Sequence, residues 1–430
     1  MVISLQDSQA GRAPGRSEAS GTNEKHETSA VFRAIKEIHA HDSDEDRLIH
    51  HWTGTAPSKE DWEMESGIGD LVAACVPRFF FENAIEVHAI EGMHGRSPKF
   101  RSVRGPHGSI RVPRDVCYFL EDKESGERLV LVVETDMRGG IEISFYSTGS
   151  SSWIERLRDF AKADNHLRGR PFDLQGSLLE HDGMNLSDVV LTEDQAKAFD
   201  RHIVGFANRF DELVERGSRA QRGVLLEGVP GCGKSVLLRA IAHELNGVSV
   251  CLAGPDQICQ HDSVEVLRQL IEMTAPCVVI IEEIDIFGAD RRRMVNPGMA
   301  ELMQVMDGLR SVPGVLWVGT TNRPEVVETA LADRPGRFDR RVEFGPLPDA
   351  ERGRLIDIMV RPQSLTDDAR RQAVELTRDM TGAQVRELIE TMRIIASVSE
   401  FETSHVREAW EDAGFEGERP FGFANARNAG

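Results

Sequence analysis

The sequence predicts an α/β protein: a parallel sheet with helices on both faces, a separate N-terminal α+β domain before it and a C-terminal helical lid after it. Three observations carry this. From Asn185 onward, short unbroken apolar runs such as "CVVIIEE" and "VLWVGTTN" alternate with helical patterns, as expected of parallel strands buried on both faces. Earlier, "DVCYFLEDKESGERLVLVVETDMRGGIEISFYS" reads as three strands separated by the turns "DKESGE" and "DMRGG". From Asp349 to about Ala413 the pattern is helical throughout.

Taken in order, residues 1–30 are Gly, Ser, Ala and charge, and are expected to form a disordered tail. Residues 31–170 form the α+β domain, with a short amphipathic helix at "VFRAIKEIHA", the three strands, and a helix at "SSWIERLRDFAKA" capped by Ser151 or Ser152. "GRPFDLQGS" reads as a linker. Residues 171–348 form the large α/β domain, with strands "GVLLEG", "VSVCLA", "CVVIIEE", "VLWVGTTN" and "RRVEFG" and a helix "SVLLRAIAHEL" that stops at Asn246-Gly247. Residues 349–413 are the lid, and residues 414–430 a Gly/Pro-broken tail.

The charge of -20, from 71 acids and 51 bases, argues against a general nucleic-acid binder and for a self-repelling soluble surface. Six scattered cysteines without a CxxC pair read as reduced thiols, neither a disulfide frame nor a zinc site. No apolar run approaches the roughly 18 residues of a membrane span, and the N-terminus lacks an apolar signal core. The expected location is cytoplasmic.

"GVPGCGKS", Gly228 to Ser235, fits G-x-x-x-x-G-K-[ST] and lies between a strand and a helix. Glycines let the backbone turn tightly, so that N–H groups point inward at phosphate oxygens, and the helix start adds partial positive charge. The expected nucleotide contacts are Gly228, Pro230, Gly231, Cys232, Gly233, Lys234, Ser235 and Val236. Lys234 can reach the β- and γ-phosphates of ATP, and the Ser235 hydroxyl can ligate Mg²⁺. Cys232 has two readings: a thiolate favoured by the helix start and Lys234, making nucleotide binding oxidation-sensitive, or a position that tolerates any small side chain.

"VVIIEEID" ends an apolar strand with Glu282, Glu283 and Asp285. Glu282 is assigned to Mg²⁺ and Glu283 to orienting the attacking water. "VGTTNRP" ends the next strand with Asn322, whose carboxamide can hold the same water.

These stretches, with "MAELMQVMDGL", "TTNRPEVVETALADRPGRFDRRVEF" and "MTGAQVRELIE", resemble the AAA+ superfamily of P-loop NTPases, specifically its classical AAA branch. The resemblance runs from about Leu186 to Ala413. It implies an ATP-hydrolysing ring of identical subunits, usually a hexamer, that remodels a protein partner. "ALADRPGRFDRR" puts four arginines into eight residues. In the family, Arg334 and Arg337 would reach into a neighbour's site to stabilise charge on the transferring phosphoryl group, an effect typically worth about 10³ to 10⁵ in rate. Without that role they would be ion-pair partners of Asp333 and Asp339, and Arg340 and Arg341 read as structural. Gly382 and Ala383 match the family's pair near adenine, and Asp188 to Val190 would supply backbone contacts to the base.

The chain departs from the family at three places. Glu282 stands where Asp is usual. "ALADRPGR" is one residue longer than the usual form. The stretch "AGPDQICQHDSVEV" lacks the aromatic of threading loops and leaves Ile258 as its best gripping residue. Arg291, Arg292 and Arg293 would line a pore or simply be a solvated charge run. The missing aromatic also admits a second function: an ATP-dependent scaffold or switch that pulls on nothing.

Overall fold

The computed structural model describes residues 45–415, apart from 55, 94–95, 138, 151, 181–182, 219, 246, 259, 261, 288–301, 303, 307–311, 313, 326 and 328–337. The tail at 1–30, the helix expected at 31–40, Arg291 to Arg293, Arg334 and Arg337 therefore lie outside the described residues. Among the described residues no helix is long and apolar enough to cross a membrane. The chain divides into two compact units: the described parts of Met1–Met64, Cys75–Arg101 and Val112–Leu157, and those of Glu65–Ala74, Ser102–Arg111 and Arg158–Gly430.

The N-terminal elements are α1 (Glu45–Thr53), β1 (Ser58–Met64), α2 (Ser66–Glu82), β2 (Ile85–Gly92), β3 (Phe100–Gly105), β4 (Gly108–Pro113), β5 (Val116–Asp122), β6 (Arg128–Thr135), β7 (Ile141–Ser147) and α3 (Trp153–Ala163). An antiparallel sheet has the order β1-β7-β6-β5-β2, and β3 and β4 form a separate two-stranded pair. The three expected strands are its apolar centre. The edges were not legible in the sequence. β1, "SKEDWEM", is mostly polar, and β2 carries a bulge between Val87 and Ala89 that breaks its alternation. Trp52 is fully buried beside Phe119 and Val130, and its indole N–H donates to the Leu120 carbonyl. Ser152 caps α3, accepting from the Glu155 N–H at 3.3 Å.

The second unit is built on β8 (Pro171–Asp173), α4 (Glu193–Phe199), β9 (Gln221–Gly228), α5 (Lys234–Glu244), β10 (Ser249–Ala253), α6 (Ser263–Thr274), β11 (Cys277–Ile281), β12 (Val315–Thr321) and β13 (Arg340–Phe344). These six strands form one parallel sheet in the order β13-β9-β12-β11-β10-β8. Each residue of β11 and β12 is buried, which is why their sequences are unbroken apolar runs. Val224, Leu238, Ile241, Val278, Ile280 and Leu316 belong to one core. The sheet order puts β10 three strands away from β9, so the chain leaving β9 through α5 opens a crevice at the carboxyl end of β9.

The expected linker is corrected here. "PFD" is strand β8, paired in parallel with β10. Just before it, the buried Asn165 amide donates to the carbonyls of Ala161 and Met273, both at 2.8 Å. Arg168 donates to those of Lys162 and Ala275. Gly/Pro composition marks this segment as irregular, but its side chains close otherwise open carbonyls at the ends of α3 and α6.

The lid comprises α7 (Asp349–Met359), β14 (Ser364–Leu365), α8 (Asp367–Leu376), α9 (Gly382–Ile395), β15 (Glu400–Phe401) and α10 (Thr403–Asp412). It is not helical throughout: β14 and β15 form a two-residue parallel pair. Leu388, Ile389, Met392, Phe401 and Val406 fill its own core. Arg352 is 2% exposed and bonds the carbonyls of Leu347 and Val374 and the Asp349 carboxylate.

Candidate functional site

The loop between β9 and α5 is shaped by two glycines. Gly228 sits at φ +149, and a Cβ there would lie 1.8 Å from the Phe344 carbonyl oxygen on the neighbouring strand. Gly231 has φ +81, and its Cβ would come within 2.8 Å of the Ala383 Cβ. The loop therefore fits between β13 and the lid only as bare backbone.

Lys234 opens α5 and is buried. Its ammonium donates to the carbonyls of Gly228 at 2.6 Å and Val229 at 3.0 Å, so it curls back over the loop that would cradle phosphate. Burial lowers its pKa from the ordinary value of 10.5, while Cys232, Asp285 and Glu283 hold it up. The position still favours an anion, since a phosphate would replace two neutral carbonyls as its partner.

Cys232 is half-buried, and burial raises its thiol pKa more than Lys234 lowers it. This weighs against the thiolate reading and favours the neutral thiol.

The Ser235 hydroxyl lies 3.3 Å from Glu282 Oε2 and donates to it. Burial raises the Glu282 pKa, opposed by Ser235 and Arg239 and reinforced by Glu283. The two residues expected at the metal therefore meet. One hydroxyl and one carboxylate oxygen are a hard-oxygen pair of the kind Mg²⁺ takes from a protein when waters and phosphates complete its shell. Among the described residues no cluster of three His, Cys, Asp or Glu forms an all-protein cage. The donor set fits magnesium held jointly with a nucleotide.

Glu283 is exposed at φ +52, a left-handed position unusual for a residue with a side chain. Its backbone N–H donates to Thr320 Oγ1 at 2.9 Å. Asn322 follows β12 and is half-buried. Its N–H donates to Asp285 Oδ1 at 3.2 Å. The strand ends that bear Glu283 and Asn322 are thus cross-bonded. Asp285 was seen in the sequence as one acid among three; nothing in the local pattern marked its partner.

The lid reaches the loop directly. Thr381 caps α9, with Gln384 completing a reciprocal capping box. The Ala383 N–H donates to the Gly231 carbonyl at 3.0 Å, and a Cβ on Gly382 would lie 3.2 Å from that oxygen. Asp188 closes a short turn, Leu186–Asp188, by accepting from the Asn185 N–H, and Val190 is buried. Leu186, Val189 and Leu191 pack against the core that also holds Leu237.

Ile258 is 1% exposed, in the short helix Pro255–Ile258. It faces the core and cannot grip anything, which corrects the reading of it as a gripping residue. Arg341 lies 3.9 Å from Glu227 of β9, in keeping with a structural role.

Residues 224–346 match the family described as "ATPase family associated with various cellular activities (AAA)". The match identifies this stretch as an AAA domain. Proteins similar to the chain include Protein SAV of Sulfolobus acidocaldarius, 28% identical over 317 residues that cover 70% of this chain and 39% of that protein. A proteasome-activating nucleotidase of Pyrococcus furiosus is 35% identical over 201 residues, covering 43% of this chain and 50% of the relative. The ATP-dependent zinc metalloprotease FtsH 3 of Synechocystis sp. is 32% identical over 217 residues, covering 47% and 35%. The chain spans half or less of the length of each of these three relatives. The residues matched by the family run from β9 to just past β13, so they hold the phosphate loop, Glu282, Glu283 and Asn322, while the lid contact at Ala383 lies beyond them.

Proposed function

We propose that this chain is an ATP-hydrolysing AAA protein that assembles with copies of itself into a ring, usually hexameric in the family, and remodels a protein partner. The observation that carries the reading is the meeting of Ser235 with Glu282 directly beyond the glycine loop and Lys234. The loop backbone, Lys234 and the start of α5 bind the phosphates of ATP. Ser235 and Glu282 hold Mg²⁺, which would supply charge neutralisation on the phosphates. Glu283 and Asn322 orient the water. Arg334 and Arg337 complete the site of the adjacent subunit. Gly382, Ala383 and the stretch Asp188–Val190 border the base, and Cys232 and Val236 line the loop. The contact of Ala383 with Gly231 supports a lid that responds to what the loop holds. The reading includes a cytoplasmic setting and no nucleic-acid substrate, on the acidic charge of the chain.

A second reading, an ATP-dependent scaffold or switch that threads nothing, is favoured by the burial of Ile258 in a segment without aromatics. Glu283→Gln tests the first point: it should bind ATP and fail to turn it over, and turnover at the parental rate removes the role given to Glu283. Client proteins captured by that variant, and ATPase stimulation by them, separate remodeller from switch. A protein that stays monomeric with saturating ATP and magnesium yet hydrolyses at full rate refutes the ring.

A further inference from the structure

We propose that Asp285 is a positioning residue for hydrolysis, the half of a reciprocal latch that holds Asn322 against the turn bearing Glu283. The proposal rests on the ATPase reading above and assigns Asp285 no contact with the nucleotide or the metal.

The geometry is symmetrical. Glu283 follows β11, and its N–H is taken by Thr320, a side chain of β12. Asn322 follows β12, and its N–H is taken by Asp285, a side chain beyond β11. Each of the two residues that would hold the water is therefore fixed at its own backbone by a side chain from the opposite strand. Asp285 Oδ1 also accepts from the Thr321 hydroxyl at 2.9 Å, and Thr321 Oγ1 accepts from the Arg323 N–H at 2.9 Å. Thr320 and Thr321 are 2% and 0% exposed, so their hydroxyls have no water to fall back on.

Two further features show that the turn is pressed onto β12. A Cβ on Gly319 would lie 2.2 Å from Ile284 Cδ1, so the Ile284 side chain packs directly onto the strand there. Glu283 keeps its left-handed φ of +52 at the same place, a strain that the surrounding bonds must hold. A carboxylate that spends one oxygen on two donors of the neighbouring strand acts on orientation. It transmits the position of β11 to Asn322 and fixes the gap in which the water would sit.

Steady-state ATPase of the full chain, with nucleotide affinity followed in parallel, tests this. Asp285→Ala should lower kcat about 10- to 100-fold while leaving ATP affinity within about threefold. Asp285→Asn keeps a carbonyl oxygen able to accept both bonds and should restore most of the lost kcat. Thr321→Val, which keeps the side-chain shape but takes the acceptor from the Arg323 N–H, should lower kcat about fivefold and change Asp285→Ala little further. If Asp285→Asn is as damaging as Asp285→Ala, the charge itself acts on the reaction and the positioning role is overturned. An unchanged kcat in Thr321→Val overturns it equally, even should Asp285→Ala fail to fold. Glu283→Gln run alongside separates the two levels: parental turnover there defeats the hydrolysis reading and not merely the latch.

Discussion

The N–H of Ala383, in the first turn of α9, donates to the carbonyl oxygen of Gly231 in the phosphate loop at 3.0 Å. A helix start leaves N–H groups without intrahelical partners, and here the loop satisfies one of them. Loop and lid are thereby joined through a backbone hydrogen bond. Gly231→Ala should break this. The new methyl meets the Ala383 Cβ at 2.8 Å, and the φ of +81 adds about 1 kcal/mol of strain. The expected result is at least about tenfold weaker ATP binding, measured by titration with a fluorescent nucleotide. Parental affinity would mean that the lid contact is dispensable.

Glu282 meets Ser235 at 3.3 Å, so magnesium should depend on both. Glu282→Gln removes the charge and keeps the shape. The magnesium concentration for half-maximal ATPase should rise about tenfold or more. A variant with an unshifted magnesium curve would exclude Glu282 from the metal.

His166 has a pH signature of its own. Burial, reinforced by Arg170, pushes its pKa from 6.5 down to about 4, and its Nδ1 is buried without a partner. The native state therefore binds its proton less readily than the unfolded chain. Its stability term is complete above the unfolded value of 6.5 and is lost as pH falls toward the folded value. Between about pH 7.5 and about pH 5 the loss should be about 2 kcal/mol. His166→Phe should flatten that part of the acid limb in urea denaturation. An equally steep limb would place the acid sensitivity elsewhere.

Arg352 sits at the heart of the lid, bonded to Leu347, Val374 and Asp349. Arg352→Met removes a buried charge and takes its donors from the Leu347 and Val374 carbonyls. Its cost should be about 2 to 4 kcal/mol, seen as a lower unfolding midpoint in denaturant. A loss below about 0.5 kcal/mol would show that water replaces the guanidinium there.

Much of the second unit was legible because its signals are local. β9, β11 and β12 are continuous apolar runs, and the glycine loop carries its spacing wherever it occurs. The candidate residues Lys234, Ser235, Glu282, Glu283 and Asn322 could be named for the same reason: each follows a strand or starts a helix. Arg334 and Arg337 belong to the sequence argument alone.

What the sequence settled by itself was the strand and helix periodicity and the place of the glycine loop between β9 and α5, since burial on both faces and tight glycine turns write themselves into neighbouring residues. Tertiary structure alone decided that "PFD" pairs with β10, that Ile258 turns inward, that Ala383 meets Gly231, and that Asp285 holds Asn322. Each of those depends on residues far apart in the chain, and a hydrogen bond across such a separation leaves no trace in the pattern on either side of it.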